Sequence, residues 1–407
     1  MRIFTVLIFL TIMACLPSAV MQFALAKRSL GKRVRRKRLL TAVIWAAPVT
    51  FLLVFLALGM VGRLHLAELP APVGEWYLWA FVTAFFPAFM VALCYLIDLL
   101  LSWLFRRKKR LRLMEWIGGP LAVLTLAGLV TGAATRHSIK VREVTIASDH
   151  VPVSFDGTRI VQITDLHMGN LTPERPYLKR ITDTIRGLKP DLLLFTGDLV
   201  NMSAKDGEGK GCIFCPVETR YGRYAVMGNH DYGEYVQWKS DDEKEDNLRR
   251  TYRLYGDVGF TLLNDTALYI SNGIDSIGLI GTENWSLPPF PQYGSLSRAV
   301  EGFAPARFNI LMSHDPIVWE EEVMRYPYIN LTLSGHTHAA QMGIDCGEVK
   351  FSPSQWVYDK WDGLYTKIYD NEREGQALFI SRGLGYVGIP FRLGMLPEIT
   401  VITLRAE

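Results

Sequence analysis

The sequence predicts two unlike parts: four membrane-spanning helices over residues 1–138 and a layered α/β domain over 139–407. Three observations carry this expectation. Four long apolar stretches fall in the first third. Beyond them, short apolar runs alternate with segments of helical spacing, the pattern of sheets covered by helices. Five of those runs end in Asp, Asn or His.

The first third is basic as well as apolar. Residues 1–140 carry 18 Lys and Arg against Glu68, Glu75, Asp98 and Glu115, whereas 141–407 carry 26 Lys and Arg against 36 Asp and Glu. The net charge of +4 therefore averages two opposed parts and points to no nucleic-acid partner. The apolar stretches, at 3–26, 39–62, 76–105 and 116–134, are near or above the ~20 residues a helix needs to cross the hydrocarbon core. Helices buried in a soluble bundle would show polar faces.

Orientation follows from the loops. "KRSLGKRVRRKR" and "RRKKRLR" read as cytoplasmic, and "RLHLAELPAPVGE", with one Arg and two Glu, as outer. The fourth span then exits outward, which puts 139–407 on the extracytoplasmic face of the cell membrane. "ALA" at 24–26 resembles a signal cleavage site, yet eight basic residues follow at once and resist translocation. The first span reads as a retained anchor. Asp98, inside the third span, faces the bundle or snorkels. The spans lack the charge clusters that a transport path needs.

In the second part, "TRIVQIT" runs into Asp165, "PDLLLFT" into Asp198, and "RYAVM" into Asn229 and His230. "FNILMS" runs into His314, and "INLTLS" into Gly335, His336 and His338. Such runs are strands buried on both faces. "RPYLKRITDTIRGLKP" has the helical spacing of Tyr177, Leu178, Ile181 and Ile185, and "DPIVWEEEVMRY" reads as another helix. Every histidine beyond His150 stands at a strand end, where layered α/β sheets bind ligands. Asp, Asn and His suit manganese, iron or zinc better than calcium. Cysteine is absent from these loops, which argues against a closed structural zinc site. The ligand count is too high for one ion with an open position, so two divalent ions are expected, with Asp198 as the shared carboxylate. Two ions about 3.5–4 Å apart can hold both oxygens of an in-line displacement and lower the pKa of a bridging water. That design fits phosphate ester hydrolysis.

"DLHMG", "GDLV", "GNHD", His314 and "GHTH" together resemble the motif series of the calcineurin-like metallophosphoesterases, and the tail from "GLYTK" onward resembles a membrane-anchored bacterial branch. The resemblance covers roughly 140–407. It implies a four-layer αββα sandwich, two central sheets flanked by helices. It also implies that Asp165, His167, Asp198 and His338 hold one metal ion, and that Asp198, Asn229, His314 and His336 hold the other. His230 is left to face the substrate as leaving-group acid or charge stabiliser, beside Asn229. Gly335 is expected to let the backbone turn sharply before the two histidines.

Departures from the family pattern are informative. "GDLVNMS" lacks the arginine clamp of the protein-phosphatase branch, so a protein phosphatase is not expected. Asn201 stands where many relatives carry an Asp that orients the catalytic His, which weakens His230 as an acid. Ala339 and Ala340 replace glycines and are expected to narrow the pocket. "CIFC" at 212–215 reads as a small disulfide loop, a free-thiol pair or a second metal site. Trp285, Phe290, Tyr293, Trp356 and Trp361 are candidates to line an apolar groove.

The expected function is a membrane-anchored phosphoesterase hydrolysing a phosphate ester, phosphodiester or pyrophosphate bond through a metal-bridging hydroxide. Tethering at the bilayer points to a lipid-linked envelope substrate. The alternative is a membrane sensor or scaffold with a degenerate phosphoesterase domain, against which the intact ligand set speaks.

Overall fold

The structure, a computed structural model, describes residues 12–20, single positions between 42 and 53, and 71–106, 113–171, 174–288, 291–347, 349–368 and 375–407. The chain divides into two compact units, Met1–Thr131 and Gly132–Glu407.

In the first unit, the third and fourth apolar stretches form α1 (Ala71–Leu104) and α2 (Leu113–Thr135). Both are long and apolar enough to cross a membrane. The first stretch is described as a helix over 12–20, and the rest of it lies outside the described residues. So do most of the second stretch and the basic segment 27–38. Four spans are therefore an expectation of which the structure describes two. Asp98 is fully buried, and neither of its carboxylate oxygens meets a partner among the described residues.

The second unit is built on two six-stranded mixed sheets. The first comprises β1 (Lys140–Ser148), β2 (Arg159–Ile163), β3 (Leu192–Thr196), β4 (Arg223–Val226), β5 (Thr261–Leu262) and β14 (Glu398–Ala406), in the order β1-β14-β2-β3-β4-β5. β2, β3 and β4 are parallel neighbours, so their carboxyl ends open on one edge. The second comprises β6 (Thr266–Ser271), β7 (Ser276–Gly281), β8 (Asn309–Met312), β9 (Leu331–Ser334), β12 (Gly363–Ile368) and β13 (Gly375–Ile380), in the order β12-β13-β9-β8-β7-β6. Here β7, β8, β9 and β13 run parallel. A small hairpin, β10 (Ile344–Asp345) and β11 (Lys350–Phe351), stands apart.

Burial on both faces explains the unbroken apolar residues 192–195 of β3. Ile160, Leu192, Leu194 and Val226 of the first sheet meet Leu279, Ile310, Met312 and Leu333 of the second in one core. The outer face of the first sheet is covered by α3 (Glu174–Leu188), which buries Tyr177, Leu178, Ile181 and Ile185, and by α4 (Asp241–Val258). Ser240 caps α4 by accepting from Glu243 N, and three acids follow in its first turn, favourable at the positive end of the helix. The outer face of the second sheet is covered by α5 (Leu296–Ala299) and α6 (Ile317–Glu321). The helix expected over "DPIVWEEEVMRY" is thus one short α-helix followed by a 3-10 turn at Val323–Arg325.

Cys212 and Cys215 form a disulfide, their Cα atoms 5.4 Å apart. The four described aromatic groove candidates do not form one surface. Trp361 is buried with Ala339 and Met395, Tyr293 stacks on Tyr232 at 3.8 Å, and Trp285 packs against the outer core of the second sheet. Trp356 is exposed, and Phe290 lies outside the described residues.

Candidate metal centre

Every strand that the sequence marked ends at one cluster. β2 delivers Asp165 and His167, β3 Asp198, β4 Asn229 and His230, β8 His314, and β9 His336 and His338. Asp165, His167, Asp198, His336 and His338 all have positive φ, between 46° and 70°. A non-glycine residue in that region is strained, and such strain persists where the surrounding structure over-determines it, as at functional sites.

The donor atoms fall into two nests. In the first, His338 Nε2 lies 3.1 Å from both Asp165 Oδ1 and His167 Nε2, and His167 Nε2 lies 3.6 Å from Asp198 Oδ2. In the second, His314 Nε2 lies 3.2 Å from Asp198 Oδ2 and 3.1 Å from Asn229 Oδ1. His336 Nδ1 completes it, 2.9 Å from Asn229 Oδ1 and 3.3 Å from His314 Nε2. Asp198 Oδ2 belongs to both. Ligands bound at ~2.1 Å around one cation are separated by about these distances.

Hydrogen bonds behind the cluster suit the second nest to a cation. The ring nitrogen His314 Nδ1 meets the Thr196 carbonyl at 2.7 Å, so it carries a proton. A neutral His314 then turns a lone pair toward Asp198 and Asn229 Oδ1, which are themselves acceptors. Without a metal, a proton fills the gap: burial opposes the charge, but Asp198 outweighs it and raises His314 to about 10. In the first nest, burial pushes Asp165 up, yet the adjacent His338 and His314 hold it well below the usual carboxylate range. Asp198 is likewise held low by His314 and His230 against its burial. Fully buried Arg392 donates to His338 Nδ1 at 2.8 Å, so a neutral His338 directs its proton at Asp165. A cation in this nest would take the place of that proton. The residues present therefore suit divalent ions.

Close backbone approach packs the loops together. A Cβ on Gly335 would collide with Asp165 Oδ2 and Thr164 Oγ1, and one on Gly228 with Asp198. Gly335 is not in the left-handed region, so it is needed for space and not for the sharp turn expected of it. Ala339 and Ala340 do have positive φ, at 47° and 49°. Their departure from glycine is met by backbone strain, and Ala339 packs into the core beside Trp361.

His230 stands next to the cluster, with one ring nitrogen within 4.8 Å of donors from His167 and Asp198. Its Nδ1 meets the backbone carbonyl of Asn201 at 2.6 Å. Orientation of His230 thus comes from the Asn201 main chain, and the Asn-for-Asp difference in the side chain does not alter that contact.

Several supporting residues escaped the sequence reading. Asp231 accepts from the N–H groups of Asp198, Leu199, Val200 and Gly228 and from Tyr255 Oη, tying the β3 and β4 loops together. Burial and the nearby Asp198 push its pKa up to about 6. The "GNHD" motif contained it, but only the structure reveals its bonds. Tyr235, Tyr358 and Arg392 carried no signal in the sequence.

Residues 158–340 match the family model described as calcineurin-like phosphoesterase. The chain is 28% identical over 312 residues to the metallophosphoesterase YkuE of Bacillus subtilis, covering 73% of this chain and 99% of that protein. It is 28% identical over 290 residues to a transmembrane protein with metallophosphoesterase domain of Danio rerio, covering 70% of this chain and 61% of that one. It is 26% identical over 271 residues to the UDP-2,3-diacylglucosamine pyrophosphatase LpxG of Chlamydia trachomatis, covering 56% and 78%.

Proposed function

We propose that this chain, a calcineurin-like metallophosphoesterase and so a hydrolase of phosphoric ester bonds, works as a two-metal enzyme at a membrane. The observation that supports the reading most is the pair of donor nests sharing Asp198 Oδ2. In this reading Asp165, His167, Asp198 and His338 hold one ion, and Asp198, Asn229, His314 and His336 the other. Manganese, iron and zinc suit the donor set. Two such ions, if bound there, would supply Lewis-acid activation of the phosphoryl group and hydroxide as nucleophile at neutral pH.

The chain's own residues do the remaining work. Asp198 spaces the two nests, and its Oδ1 accepts from His230 N at 2.9 Å, which fixes the β4 loop against it. His230, with Nδ1 held by the Asn201 carbonyl, has Nε2 free to move a proton to the leaving oxygen. Strained loops on rigid strand tips keep the donors preorganised, so little reorganisation is required during reaction.

The domain comprises 139–407, and residues 1–138 form a multi-pass anchor in the cell membrane. The basic segments at 27–38 and 106–112, read as cytoplasmic, support a catalytic domain on the extracytoplasmic face. The substrate is a lipid-linked phosphate, phosphodiester or pyrophosphate. Two apolar helices of membrane-spanning length and the diacylglucosamine substrate in the name of the chlamydial relative support that choice.

The test is chelation of the full-length chain in detergent, then add-back of manganese, iron or zinc with a chromogenic phosphate bis-ester. Activity should vanish and return. A chain that stays inactive with every metal acts as a scaffold. Topology is read from Cys346, an exposed free thiol. An impermeant maleimide should label it on intact cells, and labelling only after lysis refutes the outward orientation.

A further inference from the structure

Two tyrosine hydroxyls sit against the second donor nest. Asn229 Nδ2 donates to Tyr235 Oη at 2.7 Å, which turns Asn229 Oδ1 toward His314 and His336. His336 Nε2 meets Tyr358 Oη at 2.9 Å, which leaves His336 Nδ1 for the nest. With Nδ1 given to a cation, Nε2 carries the ring proton and Tyr358 accepts it. Each phenol therefore accepts from a ligand residue and keeps its own proton, for which no acceptor is recorded among the described residues. Tyr235 is 42% exposed and lies over His230, ring centroids 4.4 Å apart. Tyr358 is half-buried. Both residues are thus part-exposed while their hydroxyls contact the second nest, so they border it on a side that reaches solvent.

Charge is scarce on that side. Among the described residues, the one Lys or Arg side chain recorded in hydrogen bonding to the cluster's side chains is Arg392, behind His338. Its other donors are committed to the carbonyls of Gly385 and Arg382. Two divalent ions on Asp165 and Asp198 would leave a formal charge of +2, or +1 with hydroxide present, and buried Asp315, whose Oδ2 lies 3.7 Å from His336 Nε2, lowers each by one. Against a hydroxide-loaded site near neutrality, a monoester dianion meets more repulsion than a singly charged phosphoryl group, with no cationic side chain beyond Arg392 recorded on the cluster among the described residues.

We propose that Tyr235 and Tyr358 form a neutral hydroxyl clamp on the non-bridging phosphoryl oxygens. They fit the site to diester-type substrates, phosphodiesters and diester-linked pyrophosphates, in which the attacked phosphorus carries a single charge. The clamp rests on the two-ion reading of the cluster.

The test uses the full-length chain in detergent, loaded with manganese. Bis(p-nitrophenyl) phosphate and p-nitrophenyl phosphate are compared for the wild type, Tyr235→Phe, Tyr358→Phe and the double variant, with metal content measured in each. The wild type should favour the diester at least tenfold in kcat/KM. Each single variant should lower diester kcat/KM about tenfold, the loss of one hydrogen bond to a charged oxygen, with metal content unchanged. Three results overturn the clamp: a wild type that prefers the monoester, variants with undiminished diester turnover, or variants whose loss follows the loss of metal. The last would reduce both tyrosines to positioning Asn229 and His336. A wild type that holds no metal and cleaves neither ester overturns the two-ion reading and the clamp with it. An active wild type with indifferent variants overturns the clamp alone.

Discussion

Replacing Asp198 by Asn removes one charge and almost nothing else. The side chain is 2% exposed, so the isosteric amide leaves no cavity. Its oxygen can still accept from His230 N, which preserves the link between the β3 and β4 loops. What disappears is the anion that lies 3.6 Å from His167 Nε2 and 3.2 Å from His314 Nε2, between the two nests. At an effective dielectric of ~20, unit charges 4 Å apart interact by about 4 kcal/mol. Each of two divalent ions would feel more than this. Relief of the carboxylate's own burial offsets a large share. A net loss of about 3 kcal/mol remains, roughly a hundredfold in metal affinity. The assay is metal content after dialysis against graded free manganese, with circular dichroism to verify the fold. A folded Asp198→Asn protein that retains two ions at wild-type affinity would refute the shared carboxylate.

Three further outcomes are expected. His230→Gln should keep both ions but lower kcat on the bis-ester by about a hundredfold, within the usual range for a general acid, as read by metal analysis beside steady-state kinetics. Gly335→Ala drives a Cβ into Asp165 and Thr164, so metal content should fall and the free energy of unfolding drop by about 1–3 kcal/mol, measured by denaturant unfolding. His137 stacks on Tyr177 at 4.1 Å, and burial with Arg136 and Arg180 nearby lowers its pKa from 6.5 to about 4. The unfolded chain binds more protons than the folded one between those values. The stability held above pH 6.5 is therefore lost as pH falls toward 4, and His137→Phe should flatten that part of a Tm-against-pH profile.

The inner strands could be read from the sequence because both of their faces are buried. "PDLLLFT" shows this as an unbroken apolar run, whereas "INLTLS" alternates apolar and polar residues although all of β9 is buried, and each run is followed by candidate ligands. Half-exposed β6 and the short β5 left no comparable mark. The donor residues are legible because one chemistry recurs after every strand. Their supports are not. Arg392 reaches His338 from 54 residues away in sequence, and Tyr358 reaches His336 from 22, contacts that only tertiary folding creates. Backbone contacts are equally invisible: the Asn201 carbonyl behind His230 cannot be inferred from the identity of residue 201. Gly335 shows that the right residue can be marked for the wrong reason, since a turn and a close approach demand the same missing side chain.

Anomalous diffraction from crystals of the full-length chain grown with manganese would weigh these ideas most directly. Two peaks about 3.5–4 Å apart, with the Asp198 carboxylate between them, are expected. A single peak, or ions away from Asp165, Asp198 and the histidines of 336 and 338, would contradict a two-metal hydrolase.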